Sequence, residues 1–434
     1  MNDHFSRMFQ TKWPTTGGLV KASINITLWL LFLMLTFSVI AVDYHVMLIQ
    51  WDNSTFAASH DLHRAAHNLP PEGDFASLWL AGTLARTHDI RLLFQQQHFS
   101  QFRNAFFGRP VATPPWLYPP FALLPGFIMS FLPIRVAFWC WNIGTIIIAT
   151  VLLRAARIGW RSIGLGLLGP AGIASLALGQ YGALVGAATI TAILTADKKP
   201  RLSGCALALT VLKPQAALAV PIAFAIKREW KPLTYAVGAG AVLFVLDVLL
   251  FGISPWQLYL TKGLTESRAV LDLKWPQFNE MTGTSIFWML RSFGSSITIS
   301  WLVQLTAGFI SISIIAVIIL RCRVALRKVD SAFPYAAIVC SASLLMSPYG
   351  YSMDMVAWSL CCAMLMFERG TFSVHCPLPW LWLWPGIVPI ASKTTGILLT
   401  PFVVIILFLF AAISLTSTSL PSSRELMPEI SDPL

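Results

Sequence analysis

Residues 24–49 read INITLWLLFLMLTFSVIAVDYHVMLI, and this run decides which solvent the chain folds in. A helix of about 20 apolar residues spans the ~30 Å hydrocarbon core of a bilayer, so the run is long enough to cross it. It continues through Asp43, Tyr44 and His45 without an A-x-A-like cleavage site, so it reads as an anchor and not as a signal peptide. Arg7, Lys12 and Lys21 precede it, which predicts a cytoplasmic N-terminus.

The composition extends that reading to the whole chain. Of 434 residues, 56% are hydrophobic and 11% charged, against roughly 25% charged in a soluble domain. With a mean hydropathy of +0.69, a water-soluble globule is excluded. The net charge of +11 comes from 30 Lys and Arg against 19 Asp and Glu. Eighteen of the basic residues lie in the N-terminal trio, in four clusters (154/157/161, 198/199/201, 227/228/231 and 321/323/327/328) and at Arg369 and Arg424. Their placement between apolar runs marks a cytoplasmic edge, not a nucleic-acid surface. Seven cysteines, an odd number, make no disulfide framework. Six of them (140, 205, 322, 340, 361 and 362) lie in or beside apolar segments, where they pack as small hydrophobes; Cys376 is the exception.

Setting every basic cluster inside predicts an all-α polytopic protein with about 12 transmembrane helices, with both termini cytoplasmic. The spans are 26–49, 135–153, 162–178, 181–195, a hairpin of two short helices over 202–226, then 233–252, 299–320, 331–346, 355–367, 377–391 and 396–418. Prolines 119, 120, 125 and 133 break up 118–132, which reads as an interfacial or re-entrant helix. Two outer loops are expected, about 50–116 and 253–298, the first carrying amphipathic helices. Residues 1–416 form one domain, and 417–434 a disordered cytoplasmic tail.

Polar residues other than the basic clusters collect on the outer face. Phe75, Leu78, Trp79 and Ala81/Gly82 follow helical spacing after Gly73-Asp74, which places Asp74 in a first helical turn. A carboxylate there suits capping or a general base held at the membrane surface, and both readings stay open. Lys213, in Lys213-Pro214-Gln215 at the hairpin tip, is an ionisable group at membrane depth, either functional or snorkelling. Gln180 and Gln215 suit hydrogen bonds to sugar hydroxyls or between helices. Trp116, Tyr118 and Trp79 suit sugar stacking or an interfacial belt. His60, His63 and His67 share a helical face, but a polar loop helix explains them and no metal or other cofactor is expected. The stretch 164–169 matches G-x-G-x-x-G inside an apolar segment with no preceding strand, a false match. Gly182 and Gly186 read as a helix-packing pair.

The run G-D-F-x-x-x-W-x-A-G from Gly73, the turn 91–94, Trp116-Leu117-Tyr118-Pro119-Pro120-Phe121, Gly179-Gln180, Leu212-Lys213-Pro214-Gln215 and Ser347-Pro348-Tyr349-Gly350-Tyr351-Ser352-Met353-Asp354 stand in the order found in bacterial glycosyltransferase family 87. The chain resembles that family, which consists of integral-membrane enzymes of the GT-C class. The resemblance implies transfer of a hexose, mannose in the best-known members, from a polyprenyl-phosphate donor to a lipid-linked or glycan acceptor on the extracytoplasmic face of a bacterial inner membrane. It implies an inverting, metal-independent reaction with Asp74 as base. Lys213, Arg86, Lys274 and Arg268 are then candidates for the donor phosphate, and Gln180, Gln215, Tyr118, Trp116, Tyr351 and Asp354 for the sugar or acceptor. Where the family has a His-containing motif, residues 347–354 hold Tyr349, Tyr351 and Asp354 and no His, so acceptor and sugar stay open. Membrane lipids are expected partners and nucleic acid is not. A transporter or lipid flippase is the rival, but no matching halves are visible and the polar residues favour one face.

Overall fold

The computed structural model describes residues 25–42, 73–108, 116–276, 280–322, 326, 331–370 and 372–417. Among them every regular element is a helix, and the one extended pairing is an antiparallel bridge between Gly283 and Tyr351. The loop histidines 60, 63 and 67 and the tail beyond 417 lie outside the described residues.

Helix length sorts the described residues into two groups. Asn25–Val42, Ile134–Ala155, Trp230–Phe251 and Ile297–Arg321 are long and apolar enough to cross a membrane, and most of their surface faces away from the protein. Shorter apolar helices fill the interior. In Gly182–Thr195, Ala332–Met346 and Val356–Phe367 nearly every residue is buried. A 14-residue helix is only about 21 Å long, less than the ~30 Å core. Such helices are stable here because protein covers their ends and sides. Small residues bring them together: a Cβ on Gly186 would come within 2.8 Å of the Ala357 backbone, and one on Gly182 within 2.4 Å of the Met353 carbonyl oxygen. These two glycines press one face of the 182–195 helix onto the 353–357 segment.

Two sequence expectations need correction. The span 162–178 is two eight-residue helices, Trp160–Leu167 and Pro170–Ala177. Gly169 is extended and Pro170 has no N–H to continue the first helix, so the chain restarts there. The first outer loop was expected to carry amphipathic helices, but Gly73–Arg86 is buried from Phe75 to Gly82. It is enclosed because Leu123–Met129 packs over it. The crossing is so close that a Cβ on Gly82 would sit 1.9 Å from the Gly126 carbonyl oxygen. The next helix, Gln96–Phe107, does show an amphipathic stripe, with Phe99, Arg103 and Phe107 buried at i, i+4 and i+8.

The predicted hairpin is helix Pro200–Leu209, two 3-10 turns meeting at Lys213, and helix Ala219–Lys227. Just beyond it, Glu229 pairs with Lys227 at 2.5 Å. Burial nevertheless raises the Glu229 carboxyl to about 7, and the neighbouring Asp197 adds to the rise. Between about 4.5 and 7 the folded protein holds a proton that the unfolded chain has released, so stability falls as pH rises through that window. Thermal melting of detergent-solubilised protein should therefore show a decline in Tm across it that Glu229→Gln flattens. Equal slopes in the two proteins would contradict the assignment.

Candidate active site

Asp74 is positioned by a junction of two helix ends. The Phe75 N–H, one of the first-turn donors with no partner inside its own helix, bonds the Leu178 carbonyl at 3.0 Å. The chain then turns at Gly179, whose φ of +63° favours glycine. A Cβ there would lie 2.5 Å from the Phe75 Cβ, so there is no room for one. Trp141 Nε1 holds the Gly179 carbonyl at 3.0 Å, and the Gln180 N–H bonds the Ser175 carbonyl at 2.8 Å. Together these bonds aim the Gln180 side chain at Asp74.

Gln180 is 5% exposed and uses both ends of its amide. Its Nε2 donates to Asp74 Oδ2. Its Oε1 accepts from Tyr118 OH at 3.0 Å and from Lys213 Nζ at 3.0 Å. Lys213 also pairs with Asp354 Oδ1, and Asp354 Oδ2 accepts the Tyr351 N–H at 3.2 Å. The network therefore runs Asp74, Gln180, Lys213, Asp354, with one ammonium between two carboxylates. Lys213 reaches it because Pro214 disfavours a helical residue before it; at φ −149°, ψ 70° the backbone leaves the helix and turns the side chain inward.

A cavity of about 390 Å³ opens beside this network. Asp74, Gln180, Lys213, Gln215, Trp116, Tyr118 and Tyr351 line it. Apolar walls come from Leu117, Leu212, Leu218 and Leu264. Tyr118 stacks edge-on between Trp116 and Tyr181 at centroid distances of 5.3 and 5.2 Å. Burial above all, and then Asp74, pushes the Tyr118 phenol up. Tyr351 is pushed up by burial, then by Glu280, Asp354 and Asp74. Both phenols thus stay protonated and act as hydrogen-bond donors. Tyr349 OH donates to the Ser267 carbonyl at 3.0 Å, which ties the segment Ser254–Leu271 to the cavity.

The remaining predicted residues are placed differently. Asp354 stands behind Lys213 and is not among the cavity-lining residues. Arg86 lies three turns along the helix from Asp74, about 18 Å away. It donates to the Ser130 carbonyl at 3.0 Å and covers the Phe131 ring at 5.4 Å, away from the cavity. Lys274 is exposed and does not line the cavity. Arg268 is exposed beside Tyr349, also outside the lining. The sequence reading did not single out Ser77, Tyr259 and Ser267, which line the cavity, or Glu280, buried beside Tyr351. Of these only Ser77 had a local signal, its i+3 spacing from Asp74.

Among the described residues no group of three or more His, Cys, Asp or Glu side chains is arranged to hold a metal ion. What the cavity offers chemically is a carboxylate, a compensated ammonium, phenol and amide donors, and apolar walls.

A family model described as Glycosyltransferase family 87 matches residues 116–348, more than half of the chain. Neither the curated proteins nor the solved structures give a match. The matched segment includes Tyr118, Gln180 and Lys213, while Asp74 and Asp354 fall outside its two ends.

Gly179→Ala should dismantle the network, because the new Cβ collides with Phe75 and the backbone is strained at positive φ. Glycosyl transfer in membranes is expected to fall at least tenfold and Tm to drop, the loss of ~1–3 kcal/mol usual for such strain. A variant with unchanged Tm and activity would contradict this placement of Gln180.

Proposed function

The chain belongs to glycosyltransferase family 87, and from that premise we propose that it transfers a hexose, mannose by family resemblance, from a polyprenyl-phosphate donor to a lipid-linked or glycan acceptor. The family and the apolar helices make it a multi-pass membrane glycosyltransferase. The observation that supports the finer reading is the Gln180 amide, which joins Asp74 to Lys213. A base and a cation one amide apart are what a displacement at a sugar carbon needs.

In the proposed reaction the acceptor hydroxyl oxygen attacks the anomeric carbon. The bond from that carbon to the phosphate oxygen breaks, and its electron pair leaves with the polyprenyl phosphate. Asp74 takes the hydroxyl proton as the new bond forms, a contribution of about 10²–10⁴-fold for a positioned base. Attack opposite the leaving group inverts the configuration. Lys213 carries the charge gathering on the phosphate, while Asp354 compensates the ammonium when the site is empty. Gln180 keeps Asp74 directed at the cavity. Tyr118 and Tyr351 donate to sugar or acceptor oxygens, with Gln215 and Trp116 beside them. The leucine walls suit a prenyl chain entering from the bilayer.

The basic clusters support an extracytoplasmic cavity with both termini in the cytoplasm, and the family resemblance supports a bacterial inner membrane.

Proteoliposomes supplied with a labelled polyprenyl-phosphate hexose test the mechanism. Asp74→Asn should lower transfer by about 10²–10⁴-fold at unchanged Tm, and Lys213→Met should raise the donor KM. If Asp74→Asn transfers as well as the wild type, Asp74 is not the base.

A further inference from the structure

We propose that the Ser77 hydroxyl, backed by the buried Arg103 guanidinium, is an acceptor subsite that binds an oxygen adjacent to the reacting hydroxyl, which makes the acceptor a polyol or glycan and not a simple alcohol. This rests on Asp74 acting as the base.

Ser77 lies one turn beyond Asp74 on the same helix face, and both line the cavity. Residues at i and i+3 have Cβ atoms about 5–6 Å apart, so an acceptor held by Asp74 through one hydroxyl presents its neighbouring oxygen within reach of Ser77. Ser77 is 5% exposed and borders the cavity.

Arg103 sets the direction of that hydroxyl. It comes from the buried stripe of the helix Gln96–Phe107, is 1% exposed, and lies over the Phe107 ring at 6.0 Å. Its Nη1 donates to Ser77 Oγ at 2.6 Å. A guanidinium has only donors, so Ser77 is the acceptor in this bond and keeps its own hydrogen. Helical hydroxyls commonly spend that hydrogen on the carbonyl four residues back. Thr83 and Thr87, on and just after the same helix, do so, bonding the carbonyls of Trp79 and Thr83 at 3.1 and 3.2 Å. Ser77 makes no such bond among the described residues, and its hydrogen is left for an oxygen in the cavity. The positive charge behind Oγ strengthens that donor.

Asp74 then receives a proton from one acceptor oxygen while Ser77 donates to the next. A diol satisfies both groups. A simple alcohol satisfies one and leaves a buried donor unmet, which costs affinity. Lys213 connects to Asp74 through Gln180, whereas Ser77 connects to it along the helix, so phosphate and acceptor are gripped by different elements.

The test uses the full-length protein in proteoliposomes with a labelled polyprenyl-phosphate hexose and two acceptor probes, an n-octyl hexoside and n-octanol. The wild type should use the hexoside with the higher kcat/KM. Ser77→Ala should raise the hexoside KM about tenfold, the worth of one lost hydrogen bond, with the donor KM in place. Ser77→Thr, which keeps the hydroxyl, should retain most of the affinity. Arg103→Met should act in the same direction as Ser77→Ala, with Arg103→Lys recovering part of the loss. Should Arg103→Met fail to fold, the two Ser77 variants carry the test. Equal use of octanol and hexoside by the wild type overturns the inference. So does a Ser77→Ala variant whose donor KM rises instead, because the hydroxyl then serves the leaving phosphate. A wild type that consumes no labelled donor with either probe or with water is a different failure, that of the donor class itself.

Discussion

One buried amide, Gln180, holds a carboxylate at one end and an ammonium at the other, and the surrounding helices are arranged to keep it there. An ionised side chain in an apolar interior is costly unless hydrogen-bonded and paired. Asp74 finds the amide N–H, Lys213 finds the amide oxygen, and Asp354 completes the compensation. Each contributing residue comes from a different part of the chain. Bringing them together takes the tight turn at Gly179, the break at Lys213-Pro214 and the short turn Ser352–Asp354. All three are places where the helix stops.

This explains the division between long and short helices. The long apolar helices present their surface to lipid and contribute little to the cavity. The short ones end inside the protein, and their ends supply the irregular backbone that aims polar side chains inward. Unwound backbone at membrane depth is tolerated where protein encloses it or a cavity borders it. Here it is both. The Phe75 N–H bonded to Leu178 and the Thr284 N–H bonded to the Gly350 carbonyl at 2.8 Å show how those ends are satisfied.

Much of the site was legible in the sequence because charge is so scarce there. In a chain this apolar, Asp74 and Lys213 stand out as charged residues with a high cost and few explanations, whereas uncharged Gln180 enters only as part of the Gly179-Gln180 motif. Ordered motifs then tied the three together. Cations read by proximity in sequence fared differently. Arg86 shares a helix with Asp74 but sits three turns away against Ser130 and Phe131. Ser77 carries a local signal only through its i+3 spacing from Asp74, and the link to Arg103, 26 residues on, has no local signal at all. The helix Gly73–Arg86 was misjudged because its periodicity marks one apolar face, whereas Ala76, Ser77 and Ala81 are small enough for a second element to cover the others.

The sequence by itself determined the solvent, the helical class and the family motifs, because apolar run length and basic clusters act locally and need no partner to be read. The tertiary structure alone decided which polar residues meet. Asp74, Gln180, Lys213 and Asp354 are spread over 280 positions, and their contact depends on glycine-tight helix crossings and on where prolines end the helices. Those are properties of close packing between distant segments, which no local pattern encodes.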